Sequence, residues 1–321
     1  MRFELPQATF GQVRRLAIAT LVANVGIVVT GGAVRLTGSG LGCPTWPRCT
    51  TNSFVPHGEL GIHAAIEFGN RMLTFVLIIV AALTWLAVMR SPVRVRGARL
   101  IATAVLLGIP MQGVVGGITV LTNLNPWVVS LHFLLSMVLV GLSVLLIDRV
   151  RGRSATGPPL PRPVRVLAYM IFAVAAAVIY LGTVVTGSGP HAGDVYAPRN
   201  GLDPAVMAQA HADLVFLLIG LTVGMIVVLL ATRAGARARR AAWTLLGVEL
   251  AQGVVGIVQY VTDLPIVLVG LHMLGAAVLL ATVVWLVVAV SPRRDPDVVG
   301  VGGRLGEPEQ LPGPSQERVP L

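Results

Sequence analysis

Eight long apolar segments dominate this chain and leave few folds open to it. They cover residues 12–35, 61–89, 99–121, 127–147, 164–186, 206–231, 241–261 and 266–290. Each is long enough for a helix to cross a hydrocarbon layer of about 30 Å, which takes about 20 residues. Only 12% of the 321 residues are charged, whereas soluble domains carry about 25%. The sequence therefore predicts an all-α integral membrane protein with eight transmembrane helices.

The net charge of +10 is carried by arginine, because the chain has no lysine. Arginines gather before the first segment and after the second, fourth, sixth and eighth, and three others lie in the opposite loops. The gathered ones are Arg2, Arg14, Arg15, Arg90, Arg94, Arg96, Arg99, Arg149, Arg151, Arg153, Arg162, Arg165, Arg233, Arg237, Arg239, Arg240, Arg293 and Arg294, and the others are Arg35, Arg48 and Arg199. By the positive-inside rule, both termini of this multi-pass protein of the plasma (inner) membrane are expected in the cytoplasm. The charge then reflects topology and argues against nucleic-acid binding.

Two cysteines, Cys43 and Cys49, lie in the first loop on the predicted outer side. Closely spaced cysteines outside the reducing cytosol usually form a disulfide. The two cysteines could form a structural disulfide that stabilises a long loop. They could instead form a redox-active disulfide in a small loop. A metal site is disfavoured because the pair has no nearby histidine partners.

Short motifs occur twice along the chain. They are Gln112–Gly116 and Gln252–Gly256, each followed by a Leu-His pair ending in His132 or His272, and Thr37–Gly40 and Thr186–Gly189. An even number of helices separates the copies, so both copies have the same orientation in the membrane. This pattern predicts two four-helix bundles related by a pseudo-twofold axis along the membrane normal.

The repeat also predicts the organisation of the chain. We expect an N-terminal half over 1–153, a Pro-rich cytoplasmic linker over 154–163 and a C-terminal half over 164–292. The Gly-, Pro- and Glu-rich residues 293–321 predict a disordered cytoplasmic tail.

Four histidines lie within the predicted helices, toward their outer ends: His63, His132, His211 and His272, two in each half. Ionisable groups inside a membrane are costly and mark functional sites. A single histidine could serve helix packing, but facing imidazoles on neighbouring helices are typical of axial haem ligands. The sequence therefore predicts two haem sites, one in each half.

The second predicted helix carries further polar residues on the face of His63. Glu67, Asn70 and Arg71 follow it at helical spacing. Glu67 and Arg71 are placed for a simple ion pair. A carboxylate beside a haem could instead handle protons or stabilise developing positive charge. The second half has no glutamate at the equivalent position, so we expect the first half to be catalytic and the second to hold a cofactor.

Together these residues resemble the haem A synthases over nearly the full length of the chain. The resemblance rests on the segment Gly31–Cys49, on Glu67 followed by Arg71, on the two Leu-His motifs and on the duplicated eight-helix plan. It implies oxidation of the C8 methyl of haem O to a formyl group, which gives haem A for cytochrome oxidase. The implied partners are haem O, haem A, membrane lipid, haem O synthase (protohaem farnesyltransferase) and the assembly of cytochrome oxidase.

The resemblance also implies roles for individual residues. It places a haem b cofactor between His211 and His272, and substrate haem O in the N-terminal half with His132 on its iron. Glu67 is expected at the reacting edge. The propionates of haem O are expected near Arg35 or Arg71.

One position departs from the family pattern, in which the second helix reads Glu-x-x-His-Arg. Here Asn70 stands at the histidine, and a register of 141 residues pairs Asn70 with His211. Either His63, about 10 Å away along the helix axis, binds the substrate iron as a second ligand, or His132 holds it alone. Both arrangements stay open.

Two other functions fit part of the pattern. A di-haem b-type membrane electron carrier or quinol oxidoreductase would use the same four histidines, but it gives no role to Glu67 or to the cysteine loop. A non-enzymatic haem-handling transporter would fit the duplicated bundle.

Overall fold

The computed structural model describes residues 7–57, 61–91, 97–151 and 160–291. Most of the predicted linker at 154–163 and all of the predicted tail at 293–321 lie outside these ranges. The described residues form eight α-helices and no strand: α1 Phe10–Leu36, α2 Gly61–Met89, α3 Ala98–Leu121, α4 Pro126–Val150, α5 Arg162–Ser188, α6 Pro204–Ala231, α7 Ala236–Val261 and α8 Ile266–Val290. All eight are long and apolar enough to cross a membrane. The predicted fold class and its eight spans are confirmed.

Local sequence determines where several helices begin. Thr9 caps α1 and accepts from the backbone of Gln12, whose side chain accepts in turn from the backbone of Thr9. This reciprocal arrangement is a capping box. Asn125 and Asp203 cap α4 and α6, and in both cases proline follows at the first helical position. Proline is favoured there because its missing N–H would have no partner within the helix.

The contacts between helices follow the sequence repeat. We refer to α1–α4 as the first set and to α5–α8 as the second, and their predicted arrangement as two separate bundles stays a prediction. In the first set α1 contacts α2 and α4, and α3 contacts α2 and α4. In the second set α5 contacts α6 and α8, and α7 contacts α6 and α8. The sets meet where α8 packs on α1 and α4, and where α4 packs on α5. These contacts map onto themselves when each helix is exchanged for its counterpart in the other set. The pseudo-twofold axis itself stays a prediction.

The two sets are also tied at the opposite ends of their helices. At one end Arg35, in the last turn of α1, donates to the carbonyl oxygens of His191 at 2.7 Å and Thr186 at 3.0 Å. At the other end Asp148 near the end of α4 forms an ion pair with Arg237 near the start of α7. Side chains from one set therefore bind the other at both ends.

The turns that follow α3 and α7 share an uncommon backbone conformation. Asn123 and Leu124 have φ of 51° and 57°, and Asp263 and Leu264 both have φ of 58°. In each turn the leucine N–H donates a 2.8 Å hydrogen bond to the carbonyl oxygen of the residue five positions earlier. Positive φ is unfavourable for leucine. Two turns of this kind, 140 residues apart, reproduce the sequence repeat in the backbone.

Many large apolar side chains point away from the interior. Phe216 on α6, for example, is 72% exposed. Soluble proteins bury most such side chains. Their outward orientation on helices of this length is expected of a surface that faces lipid.

Candidate functional site

The C-terminal set brings two histidine rings together. His211 on α6 and His272 on α8 have ring centroids 6.3 Å apart and ring planes at 71°. A metal–imidazole bond is about 2 Å long, so rings that bind one metal ion from opposite sides have centroids about 6 Å apart. The two histidines therefore have the centroid separation of rings that bind one metal ion from opposite sides, which is compatible with a haem iron held between them.

Neighbouring backbone groups position these two rings. Nδ1 of His211 lies 3.0 Å from the carbonyl oxygen of Val178 on α5, which leaves Nε2 for a metal ion. A Cβ atom on Gly182 would come within 3.3 Å of the His211 ring, and one on Gly256 within 3.4 Å of the His272 ring. The glycines therefore let both rings lie directly against a neighbouring helix.

The N-terminal set repeats one of these two positions. A Cβ atom on Gly116 of α3 would lie 3.2 Å from the His132 ring, as Gly256 does relative to His272. Nδ1 of both His132 and His272 is buried without a hydrogen-bond partner among the described residues. His132 and His272 thus occupy matching surroundings in the two halves.

The register of 141 residues predicts that Asn70 takes the position that His211 has in the other half. A Cβ atom on Gly31 of α1 would lie 3.9 Å from Nδ2 of Asn70, so a glycine of the preceding helix lies beside this side chain, as Gly182 of α5 lies beside His211. Thr30 donates a hydrogen bond of 2.7 Å to Oδ1 of Asn70. Asparagine carries an amide and no imidazole. At these two matched positions the N-terminal half therefore presents one imidazole, that of His132.

His63 lies in the first turn of α2 and is exposed. Its Nδ1 is 2.9 Å from Oγ of Ser39, whose hydroxyl is 2.8 Å from that of Thr37. The structure therefore ties His63 to the first of the two Thr-Gly-Ser-Gly motifs. Its role as a ligand of the substrate iron stays a prediction.

Glu67 is buried and fully engaged by its neighbours. Oε2 accepts from the backbone N–H of Cys43 at 2.7 Å, and Oε1 accepts from Nη2 of Arg71 at 2.5 Å and from its Nε at 3.1 Å. The ion pair expected from the i, i+4 spacing is present. Hydrogen bonds to charged groups are stronger than neutral ones, so the position of this carboxylate is closely defined.

Arg71 extends the same network to the cysteine loop. Its guanidinium donates to the carbonyl oxygens of Cys43 at 3.2 Å, Thr45 at 3.1 Å and Arg48 at 3.3 Å. The predicted substrate-binding residues Arg71 and Arg35 thus both donate to backbone carbonyls. The pair of Glu67 and Arg71 holds the loop against α2.

Cys43 and Cys49 form the predicted disulfide, with Cα atoms 4.4 Å apart. Both are fully buried and pack against Ala64 and Phe68 of α2. Between them, the indole of Trp46 lies so close to Gly117 of α3 that a Cβ there would overlap it. The loop thus bridges α2 and α3 beside Gly116, the glycine that contacts His132.

Glu249, near the middle of α7, is a further buried carboxyl that was not among the predicted site residues. It is 2% exposed, and its Oε1 accepts from the hydroxyl of Thr222 on α6 at 2.8 Å. Its Oε2 is buried without a hydrogen-bond partner among the described residues. A lone carboxyl inside a predicted span was a readable signal.

Comparisons with known proteins identify the family of the chain. The family model described as "COX15-CtaA: Cytochrome oxidase assembly protein" matches residues 14–65 and 58–284. Haem A synthases are similar to the chain in three bacteria: Alkalihalophilus pseudofirmus (28% identical over 54% of this chain), Halalkalibacterium halodurans (26% over 88%) and Geobacillus kaustophilus (35% over 40%). The chain spans 61% of the first relative's length, 99% of the second's and 40% of the third's. The family model covers most of the described residues, and the chain belongs to the COX15-CtaA family of cytochrome oxidase assembly proteins.

Proposed function

We propose that this protein is a haem A synthase, which oxidises the C8 methyl of haem O to a formyl group and so provides haem A for cytochrome oxidase. Family membership and the haem A synthases among its relatives support this activity. The observation that carries the proposal is the difference between the halves. One half pairs two imidazoles, whereas the other combines His132 and Asn70 with a carboxylate, Glu67, that is bound by the disulfide loop and by Arg71.

The C-terminal half is the proposed site of haem b, which the imidazoles of His211 and His272 would hold. The separation of the rings supports this assignment, as does the fixed orientation of His211. When bound there, haem b supplies one-electron transfer. The contribution of this chain is to hold both imidazoles and to leave room beside Gly182 and Gly256 for the rings.

The N-terminal half is the proposed site of substrate haem O, with His132 on its iron. A second ligand from His63 or none at all are both compatible with the hydrogen bonds described above. Binding through one protein ligand would suit a molecule that must enter and leave, because each additional metal–ligand bond slows exchange.

Glu67 is the proposed catalytic residue, held toward the reacting edge of haem O by Cys43 and Arg71. A carboxylate at this place can accept a proton or stabilise positive charge that develops during oxidation. Arg35 and Arg71 are the proposed partners of the haem O propionates. Both already donate to backbone carbonyls, so a propionate would share these donors.

The overall conversion removes four electrons from the methyl group and adds one oxygen atom. With dioxygen as the oxidant, one methyl group and one dioxygen give one formyl group and one water, with hydroxylated forms of the methyl group as intermediates. The proposed setting is the plasma membrane with both termini in the cytoplasm, as the distribution of arginines supports. Haem O synthase and the assembly of cytochrome oxidase are the proposed partners.

Pigment analysis of the purified protein tests the proposal. Cells that supply haem O should yield protein that contains haem b together with haem A or hydroxylated haem O. Haem b alone, with no oxidised haem O after incubation, would contradict the activity and favour a di-haem electron carrier. Protein that binds no haem at all would favour a transporter.

A further inference from the structure

The buried carboxyl of Glu249 has no role in the chemistry described so far. It lies on α7 between Ala236 and Val261, about 18 Å along the axis from the outer end of that helix. Its single described partner is the neutral hydroxyl of Thr222. Burying a carboxylate with one neutral donor is costly, whereas burying a carboxylic acid costs much less. The site therefore favours the protonated group unless a positive charge lies nearby.

Fixed charges close to Glu249 are scarce on the helices that pack against it. The charged and titratable groups are His211 and Asp213 on α6, His272 on α8, and Arg237, Arg239, Arg240 and Tyr260 on α7 itself. The three arginines are at least nine residues away, about 13 Å along the helix axis. Among the described residues of α6, α7 and α8, no permanent cation is thus placed to stabilise an ionised Glu249.

The charge that changes in this half is that of the proposed haem iron, which differs by one unit between its oxidised and reduced states. Glu249 precedes Gly256 by seven residues, which puts both on one face of α7 about 10 Å apart along the axis. Gly256 lies against the ring of His272. Thr222 is likewise on the His211 face of α6, three turns further along. Glu249 therefore lies on the predicted cytoplasmic side of the two histidines. A charge on the proposed haem iron would act on it through a medium of low dielectric constant.

The other half shows that packing does not require this carboxyl. The position equivalent to Glu249 is Ile109, and the position equivalent to Thr222 is Ala81; both are 2% exposed. Two apolar residues thus fill the same place in the half that lacks the paired imidazoles. The polar pair occurs only beside the paired histidines.

We propose that Glu249 takes up a proton when the haem between His211 and His272 is reduced, and releases it when that haem is oxidised. This inference rests on the haem b site of the proposed function. Reduction adds one electron from a one-electron donor to the ferric iron, and one proton from water joins the carboxylate of Glu249. The total charge of the buried site then stays constant, which avoids an uncompensated charge inside the membrane.

Potentiometric titration of the purified haem-containing protein at a series of pH values tests the proposal. Uptake of one proton per electron shifts the midpoint potential by about 59 mV for each pH unit, the value for a tenfold change in a one-electron couple. The wild type should approach this slope across part of the pH range over which the protein is stable, and Glu249→Gln should lose it. An unchanged slope in Glu249→Gln would overturn the proposal and assign the proton to the haem propionates.

Two further variants separate this role from general effects of buried polar groups. Thr222→Val keeps the carboxyl and removes its hydrogen-bond donor, so the slope should persist. Thr282→Val removes a buried hydroxyl of α8 that bonds only to its own helix, and it should leave the titration unchanged. Loss of the slope in Thr282→Val would also contradict a specific role of Glu249.

Infrared difference spectra of the wild type between its oxidised and reduced states keep the test independent of how well any variant folds. A protonated carboxyl band should appear on reduction. Absence of every such band would overturn the proposal. Haem A formation is measured on the same preparations; a pH-dependent potential without haem A formation would contradict the proposed function and leave the role of Glu249 intact.

Discussion

The backbone N–H of Cys43 donates a 2.7 Å hydrogen bond to the carboxylate of Glu67. The disulfide loop and the proposed catalytic group are therefore one structural unit, because the loop supplies part of the environment that holds the carboxylate in place. Arg71 closes the same unit from the helix side by binding both the carboxylate and the loop.

Removal of the disulfide by Cys43→Ser together with Cys49→Ser should lower haem A formation about tenfold or more. The reason is that one hydrogen bond to a charged group contributes about 1.5–3 kcal/mol, and the free loop no longer holds it. The haem b absorption of the C-terminal half should be unchanged. Thr51→Ala, in the same loop, is the control and should retain activity. Full activity of the double variant would show that the loop does not position Glu67.

Glu67→Ala and Glu67→Gln should both stop haem A formation and leave the haem b spectrum intact. Glutamine preserves the size of the side chain but removes the charge and the ion pair with Arg71. The measurement is pigment extraction after expression with haem O. Asp213→Asn, which removes an exposed carboxylate of α6, should change neither property. Continued haem A formation by Glu67→Gln would remove the catalytic role from this residue.

The three histidines at the matched positions predict different losses for two histidine variants. His272→Ala should remove haem b, because His211 alone cannot provide two axial ligands. His132→Ala should keep the haem b spectrum and lose haem A formation. Haem content and absorption spectra of the purified variants check both outcomes. Retention of the haem b spectrum in His272→Ala would contradict the assignment of the cofactor site.

Asn70→His should convert the N-terminal pocket toward the two-histidine arrangement of the other half. Gly31 has no side chain, which leaves space beside residue 70 for the larger imidazole ring. Protein loaded with haem O should then show the spectrum of an iron with two imidazole ligands, and it should release its pigment more slowly. Asn70→Ala is the control and should show no such change. If the spectra of the two variants agree, the register between Asn70 and His211 is wrong.

Two glycines on α3 should respond oppositely to alanine. At Gly117 a Cβ overlaps the indole of Trp46, and overpacking of this kind costs about 1–3 kcal/mol. At Gly113 a Cβ atom would have no neighbouring atom within 4 Å. Alanine there should be neutral or should stabilise the helix by about 0.5–1 kcal/mol. Thermal unfolding in detergent compares the two. Equal stability of the variants would show that Trp46 does not pack on α3.

Periodicity and spacing predicted much of this molecule. Apolar length placed all eight helices within a few residues, and α7 differs most because its arginine-rich start continues the helix from Ala236. The approach of His211 to His272 is also a contact that regular helices bring about. The match of Asn70 to His211 is a prediction from repeat spacing.

Contacts made by irregular backbone could not be predicted. Cys43 reaches Glu67 and His191 reaches Arg35 through loop N–H and carbonyl groups, which every residue carries and no sequence pattern marks. Glu249 was different, because its signal was visible in the sequence. An ionisable residue within a predicted membrane span is a candidate functional residue whether it is a histidine or a glutamate.

Arg35 at one end of the helices and Asp148 at the other bind the two halves together. With both ends fastened, the two pockets cannot swing apart or approach each other without breaking these bonds. Electrons that move between them would therefore cross a gap of constant width. The pace of that exchange would be governed by separation and redox potential, and it would not wait for a motion of one half against the other.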